Sequence, residues 1–243
     1  MASQKSSRGP GRRYSTFVGI AFLILIIVAT LNTIRTQGGG TLGVGGAERG
    51  IPLSEFAVPN AVTGPLDFDA NIAQDNCSTS VNPCPSDAKR TPACEINYPP
   101  SKAIRVCDLF SRPLVLSFWF TRGANCLPTQ DALNAVYEKY KGRLNVLSID
   151  VRDDPSSVRS IASEHRWTMP VGYDRDGAVS DLYRVGGCPT VAFAYPGGIL
   201  DFAKASIAEL SQPPTESGSL RAGIERDVKT LLQQTREREA ESR

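Results

Sequence analysis

Apolar and polar positions in the second half of the chain follow the periods of alternating strands and helices. Residues 114–120 (LVLSFWF) are almost wholly apolar, which is typical of a central strand buried on both faces. A helical period follows in PTQDALNAVYEKYKG, and Gly142 is its predicted stop. Residues 144–151 predict a second strand, and Asp154-Pro155 predicts the start of a second helix. This order implies parallel strands joined by a right-handed crossover.

The pattern beyond these elements predicts an antiparallel edge and a closing helix. Residues 174–177 predict a turn, and residues 178–183 a short helix. Strands at 190–195 and 199–203 surround a Pro-Gly-Gly turn and form a hairpin. A last helix begins near Ser219 and carries an apolar stripe toward the sheet. The predicted fold class is α/β, with a central mixed sheet flanked by helices.

The longest apolar run lies near the N-terminus. Residues 14–34 form an uncharged run of 21 residues, and a bilayer-spanning helix needs roughly 20. Basic residues within the predicted cytoplasmic tail, residues 1–13, place the N-terminus inside and the rest outside. A cleaved signal peptide is the alternative, although the sequence after the run is a poor cleavage site. We therefore predict a single-pass protein of the cell membrane, anchored in the lipid bilayer through a transmembrane signal-anchor helix.

The remaining segments complete the predicted domain organisation. Residues 35–60 are rich in glycine and predict a flexible linker. Residues 61–110 predict a cysteine-containing extension, in which EINYPPSKAIRV forms a β-hairpin. The α/β domain is placed at residues 111–236, and a disordered, charged tail at residues 237–243.

Charge and cysteine content narrow the classes of function. A net charge of +2 gives no excess of positive charge of the kind that nucleic-acid-binding proteins carry, so nucleic acid is not a predicted partner. All six cysteines follow the apolar run, in a compartment where disulfides persist. No pair has the spacing of about two to four residues that is typical of zinc sites, so we predict no metal and no cofactor. The structural disulfide candidates, whose connectivity stays open, are Cys77 with Cys84 and Cys94 with Cys107.

Two segments resemble those of a known family. PLVLSFWFTRGANC resembles the strand and active-site turn of the TlpA/ResA type of membrane-anchored thiol–disulfide oxidoreductases, where Phe-Trp precedes Cys-x-x-Cys. YRVGGCPTVAFAYPGG resembles the segment around the family's cis-proline, which falls on Pro189. The resemblance covers roughly residues 91–205 and implies a thioredoxin-like fold with an N-terminal β-hairpin extension. The family's first cysteine falls on Gly123 and its second on Cys126, so the motif is degenerate.

The resemblance also implies where the redox chemistry lies. Cys126 stands at a helix start, where the helix dipole favours a thiolate. In the thioredoxin fold, the residue before the cis-proline lies beside this helix start, so Cys188 can stand in for the missing cysteine. We predict Cys126 and Cys188 as a non-adjacent catalytic pair, with a static disulfide or two unrelated thiols as alternatives. The predicted substrate-binding residues are Pro189, Trp119, Arg122, Gly123 and Thr190.

Other polar candidates are weaker. His165 ends a predicted helix and is interpreted as a surface residue. The aspartates at the predicted sheet ends, including Asp150, Asp153 and Asp174, are interpreted as solvated charges, because they do not form a calcium-loop pattern.

Three functions are compatible with these residues. The predicted one is a membrane-tethered thiol–disulfide oxidoreductase outside the cytoplasm, whose partners are cysteine-containing proteins and a thiol redox partner. The second is a peroxiredoxin-like peroxidase with Cys126 as its peroxidatic residue; Thr121 precedes it, but at a different spacing from that family. The third is a non-catalytic thioredoxin-like binding module.

Overall fold

The computed structural model of the chain divides into two units, Met1–Gly39 and Gly40–Arg243. It describes residues 19–20, 22–24, 26–27, 49–68, 70, 73–74, 91–123, 125–211 and 220–241. The described residues of the first unit are helical. Within the described parts of the chain, no helix is both long and apolar enough to span a bilayer. Most of the predicted span at 14–34, and the predicted pair Cys77 and Cys84, lie outside the described residues.

A mixed sheet of five strands forms the centre of the second unit. The described strands of this unit, inside and outside that sheet, are β1 (Ala57–Pro59), β2 (Ala73–Gln74), β3 (Thr91–Pro92), β4 (Ala103–Arg105), β5 (Leu114–Trp119), β6 (Asn145–Val151), β7 (Val171–Asp174), β8 (Thr190–Tyr195) and β9 (Ile199–Lys204). The central sheet has the order β7-β6-β5-β8-β9. Strands β6 and β7 are parallel to β5, whereas β8 is antiparallel to it and β9 is antiparallel to β8. Every residue of β5 is buried, as its apolar run predicts.

Helices cover both faces of this sheet. They are α1 (Leu127–Tyr140), α2 (Pro155–Glu164), α3 (Ala178–Leu182), α4 (Ile207–Leu210) and α5 (Leu220–Glu241). Val136 of α1, Val158 of α2 and Val228 of α5 share one core layer. Val179 of α3 shares the opposite layer with Phe56, from the segment before β1. The predicted α/β class and element order are confirmed.

The predicted β-hairpin between Cys94 and Cys107 is wrong. Strand β4, which lies in this segment, pairs antiparallel with β1, and β3 pairs with β2. The predicted linker at 35–60 also ends too late, because Leu53 and Phe56 are buried and β1 lies within it. The ring of Phe56 contacts that of Tyr183 edge-on, with centroids 5.4 Å apart. Leu53 and Phe56, which follow the glycine-rich stretch, are thus buried in the core. The period of apolar residues along this segment does not by itself indicate their burial.

The predicted disordered tail at 237–243 is wrong over most of its length. Helix α5 continues to Glu241. The side chain of Gln233 donates a hydrogen bond of 2.9 Å to Glu237 one turn later. The guanidinium carbon of Arg238 lies 3.8 Å from the centroid of the Tyr195 ring. These contacts extend a charged segment as helix beyond its last buried residue.

Gly223 permits the close crossing of α4 and α5. A Cβ at this position would lie 1.8 Å from the carbonyl oxygen of Leu210. Alanine would favour the helix by roughly 0.5–1 kcal/mol, but a clash with backbone is not relieved by side-chain rotation. We expect Gly223→Ala to lower the free energy of unfolding by about 1–3 kcal/mol in urea titrations. The exposed control Thr230→Ala should change it by about 0.5 kcal/mol or less. A gain in stability for Gly223→Ala would contradict the crossing.

Candidate active site

The first half of the site is the end of β5 and the start of α1. We call residues 120–123, which leave β5, the redox turn. Cys126 is the N-cap residue of α1, and no side chain caps this helix start with a hydrogen bond. The Cys126 side chain is only 1% exposed. Gly123 has φ +80, a conformation that favours glycine, and a Cβ there would meet nothing within 4 Å.

The second half of the site is the loop before β8. The Cys188–Pro189 peptide bond is cis, as the resemblance implies. Because β8 pairs antiparallel with β5 and Thr190 lies opposite Phe118, this loop reaches the end of β5 that leads into the redox turn. Thr190 Oγ1 donates a hydrogen bond of 2.7 Å to the Gly187 carbonyl oxygen, which closes the loop.

A disulfide joins the two halves. Cys126 and Cys188 are bonded, with their Cα atoms 6.1 Å apart, within the usual range of about 4.4–6.8 Å. The Sγ of Cys188 lies 3.7 Å from the carbonyl oxygen of Phe120 in the redox turn. Cys188 is partly exposed, whereas Cys126 is buried. The predicted pairing is confirmed, and its redox role stays a prediction.

The predicted substrate-binding residues divide by exposure. Trp119 is fully buried and packs edge-on against Trp167, with ring centroids 5.4 Å apart. Pro189 and the Thr190 side chain are buried as well. The prediction that the side chains of Trp119 and Thr190 bind a client is therefore wrong, because both side chains pack beneath the site. The redox turn remains exposed, and the Arg122 side chain is 79% exposed.

A buried polar network anchors the first turn of α1 to the sheet. Gln130 Nε2 donates a hydrogen bond of 3.0 Å to Ser117 Oγ on β5. Ser148 Oγ on β6 donates one of 2.9 Å to Gln130 Oε1. All three side chains are fully buried. The network fixes the helix start that carries Cys126, and residue periodicity did not predict it.

Two aspartates interpreted as solvated charges lie buried next to the redox turn. Asp150 is 0% exposed at the end of β6, in register with Trp119 on β5 and Tyr173 on β7. The backbone N–H of Asp153, which is itself buried, donates a hydrogen bond of 3.0 Å to Asp150 Oδ1. Burial, with the charge of Asp153 adding to it, raises the pKa of Asp150 to about 9.

Asp174, the third of these aspartates, is also buried. Its carboxylate accepts the backbone N–H groups of Val179 (3.1 Å) and Ser180 (2.7 Å) at the start of α3. Burial raises the pKa of Asp174. A sequence signal existed for Asp150 alone, because this aspartate lies inside the strand predicted at residues 144–151.

The other predicted residues lie apart from this pair. Cys94 and Cys107 form the predicted disulfide, with Cα atoms 6.2 Å apart. Within the described part of the chain, the sole group of three possible metal ligands is this bonded pair with exposed Glu55. His165 ends α2 with its Nδ1 2.8 Å from Asp131 Oδ1, in agreement with a surface role.

The sheet order, the helix that begins after a cysteine, and the facing cis-proline define a thioredoxin-like domain. Residues 89–203 match the sequence profile of the AhpC/TSA family. This segment of the chain is therefore similar to the AhpC/TSA family.

Relatives of known name agree with this placement. The chain is 27% identical over 99 residues to the thiol–disulfide oxidoreductase ResA of Oceanobacillus iheyensis, covering 40% of this chain and 52% of the relative. It is 30% identical over 87 residues to ResA of Geobacillus kaustophilus, covering 35% and 50%. The chain thus spans about half the length of these curated relatives. The resemblance to ResA-type proteins is confirmed.

A solved structure supports the fold. A candidate thiol:disulfide interchange protein DsbE from Chlorobium tepidum matches with a TM-score of 0.52 at 14% identity, covering 76% of this chain and 99% of that one. At this identity the match shows the thioredoxin-like architecture alone.

Proposed function

We propose that this chain is a thiol–disulfide oxidoreductase in which Cys126 and Cys188 cycle between disulfide and dithiol. The observation that carries the proposal is the disulfide between the start of α1 and the residue before cis-Pro189. The bridge spans the two loops that meet at the end of β5, where exposed protein surface begins. Its clients would be cysteine-containing proteins.

The unequal burial of the two sulfurs sets the order of attack. A client thiolate attacks Cys188, because its sulfur is partly exposed and Cys126 is buried. A client–Cys188 disulfide forms, the Cys126–Cys188 bond breaks, and Cys126 leaves with the electron pair as a thiolate. The N-terminus of α1 stabilises that negative charge.

A second client thiolate completes the exchange. It attacks the client sulfur of the mixed disulfide and releases Cys188 as a thiolate. The client becomes a disulfide, and the chain gains two electrons as two thiols after proton uptake. The reverse sequence oxidises the chain and reduces a client disulfide. A thiol redox partner regenerates the starting state in either direction.

We further propose that the domain is tethered outside the cytoplasm by residues 14–34. The support is the uncharged apolar run with basic residues before it. The placement of all the cysteines after the run favours the same compartment, because disulfides persist there. Protease protection of the full chain in right-side-out membrane vesicles tests the orientation, and complete protection of the domain would reject it.

Peroxidase chemistry is less favoured by the site. A peroxidatic cysteine must reach peroxide as an accessible thiolate, whereas Cys126 is 1% exposed. A non-catalytic role would make the Cys126–Cys188 bridge as resistant to reduction as a structural disulfide. The exchange, peroxidase and non-catalytic functions thus differ in two measurable properties, which are the reactivity of Cys126 toward peroxide and the ease of reduction of the Cys126–Cys188 bridge.

Graded reduction of the full chain tests the proposed function. Equilibration with dithiol buffers, thiol trapping and mass spectrometry would give the potential of each bridge. We expect Cys126–Cys188 to open between about −120 and −270 mV, as catalytic pairs do. The Cys94–Cys107 bridge is the internal comparison. Opening of Cys126–Cys188 only below about −300 mV would reject exchange in favour of a structural role.

A further inference from the structure

The redox turn is held by a buried carboxylate. Asp153 Oδ2 accepts the backbone N–H of Thr121 at 2.7 Å, and Asp153 Oδ1 lies 3.4 Å from Arg122 Nε. Asp153 is buried, whereas Thr121 and Arg122 are exposed. A single side chain therefore holds two consecutive residues of the turn that leads to Cys126.

Asp150 in turn supports Asp153. The backbone N–H of Asp153 donates to Asp150 Oδ1, so Asp150 orients the short loop that carries the holding carboxylate. The second oxygen of Asp150 is buried and accepts no hydrogen bond from the described residues. A buried carboxyl with one unsatisfied oxygen is tolerated far better as a neutral acid than as an anion beside Asp153.

Resting on the proposed function, we propose that Asp153 is the positioning residue of the redox turn and that it holds the turn only while Asp150 keeps its proton. Ionisation of Asp150 would place a second buried negative charge beside the carboxylate of Asp153. Repulsion would then displace Asp153 from Thr121 and Arg122. The consequence for exchange is a less ordered start of α1, and so a poorer position for the Cys126 thiolate.

The charges around Asp150 determine the direction of the pH effect. Burial disfavours the ionisation of Asp150 most strongly, and the charges of Asp153, which follows β6, and of Asp174 on β7 add to this effect. Tyr173 on β7 lies in register with Asp150, and the Arg122 side chain lies beside the carboxylate of Asp153. Because the pKa of Asp150 is raised to about 9, Asp150 stays protonated and the turn stays ordered near neutral pH. In alkaline solution Asp150 ionises and the turn is released.

Three variants of the full, oxidised chain test this proposal. Asp150→Asn mimics the neutral acid, so the turn should stay ordered at every pH. Asp153→Ala removes the holding carboxylate, so the turn should be loose already near neutrality. Asp174→Asn is the matched control, because this buried acid ends the neighbouring strand and contacts α3 rather than the turn.

The first readout is hydrogen exchange of the Thr121 amide, normalised to a peptide of the same sequence. We expect its protection in the wild type to fall about tenfold from pH 7 to pH 10, and that of Asp150→Asn to change less than about twofold. Asp153→Ala should lack this protection at pH 7. Equal pH profiles for the wild type and Asp150→Asn would overturn the proposal, and so would a loss of protection at pH 7 in Asp174→Asn equal to that in Asp153→Ala.

The second readout is the rate at which a small dithiol opens the Cys126–Cys188 bridge. This rate is divided by the rate at which the same dithiol reduces oxidised glutathione at the same pH. The division removes the effect of pH on the ionisation of the dithiol. The normalised rate should fall about tenfold in Asp153→Ala at pH 7 and in the wild type at pH 10, but not in Asp174→Asn at pH 7 or in Asp150→Asn at pH 10. If the bridge resists dithiol in every variant, the proposed function fails while the amide measurement still decides on the turn. Unchanged rates in a reducible bridge, with a loosened turn, would overturn the positioning role alone.

Discussion

Cys188→Ser will abolish thiol–disulfide exchange, whereas Cys126→Ser will convert the chain into a trap for its clients. Without Cys188, the remaining sulfur of the pair is 1% exposed and cannot be reached by a client. Without Cys126, the partly exposed Cys188 still forms a mixed disulfide, but no intramolecular thiol resolves it. Turnover in an insulin-reduction assay should fall at least about 100-fold in both variants.

Trapping separates the two variants. After incubation with an oxidised client, non-reducing electrophoresis should show a covalent complex with Cys126→Ser and none with Cys188→Ser. The double variant Cys94→Ser/Cys107→Ser is the matched control, because it removes the other described disulfide of the same domain. It should retain turnover within about threefold after correction for the folded fraction. Complexes formed mainly by Cys188→Ser would reverse the assigned order of attack.

Asp150→Asn will make the domain more stable than the wild type, by an amount that grows with pH. The folded-state pKa of Asp150 is raised to about 9, whereas an unfolded aspartate has a pKa of about 3.9. Between these values the folded chain binds the extra proton, so the stability that this proton contributes is present at low pH and lost as pH rises. The loss reaches at most about 1.4 kcal/mol per pH unit.

Urea unfolding at several values between pH 5 and pH 8 would measure this effect. The free energy of unfolding should fall with pH in the wild type and more weakly in Asp150→Asn. A residual slope of the same sign is expected from Asp174, whose pKa burial also raises. The exposed control Asp67→Asn should run parallel to the wild type. Parallel curves for the wild type and Asp150→Asn would show that the carboxyl ionises freely in the folded state.

Elements coded by local pattern were predicted closely. The apolar run at residues 114–120 became β5, and the helical period after Cys126 became α1. The Asp154 side chain caps α2 by accepting the N–H of Ser156 at 2.9 Å, as the Asp-Pro pair predicts. Each of these signals lies within a few residues of the element that it specifies, because capping and periodicity act over one or two turns.

The site was predicted in part, and by resemblance more than by pattern. The placement of Cys188 beside Cys126 came from the order of a known fold, and the bridge confirms it. The burial of Asp150 and its contact with Asp153 were missed, as was the Gln130 network. The Gln130 network joins α1 to β5 and β6, and the burial of Asp150 depends on the elements packed over β6, so no local period records either of them.

The sequence by itself determined where strands and helices form, which sulfurs are available, and that Gly123 takes the place of a cysteine. Only the tertiary structure decided that Cys188 is the more exposed sulfur of the pair and that the Asp150 carboxyl is buried away from solvent. It also decided that β4 pairs with β1 rather than within a hairpin. The physical reason is that propensity and capping act between neighbours in the chain, whereas burial, pKa and strand pairing depend on which distant layers meet.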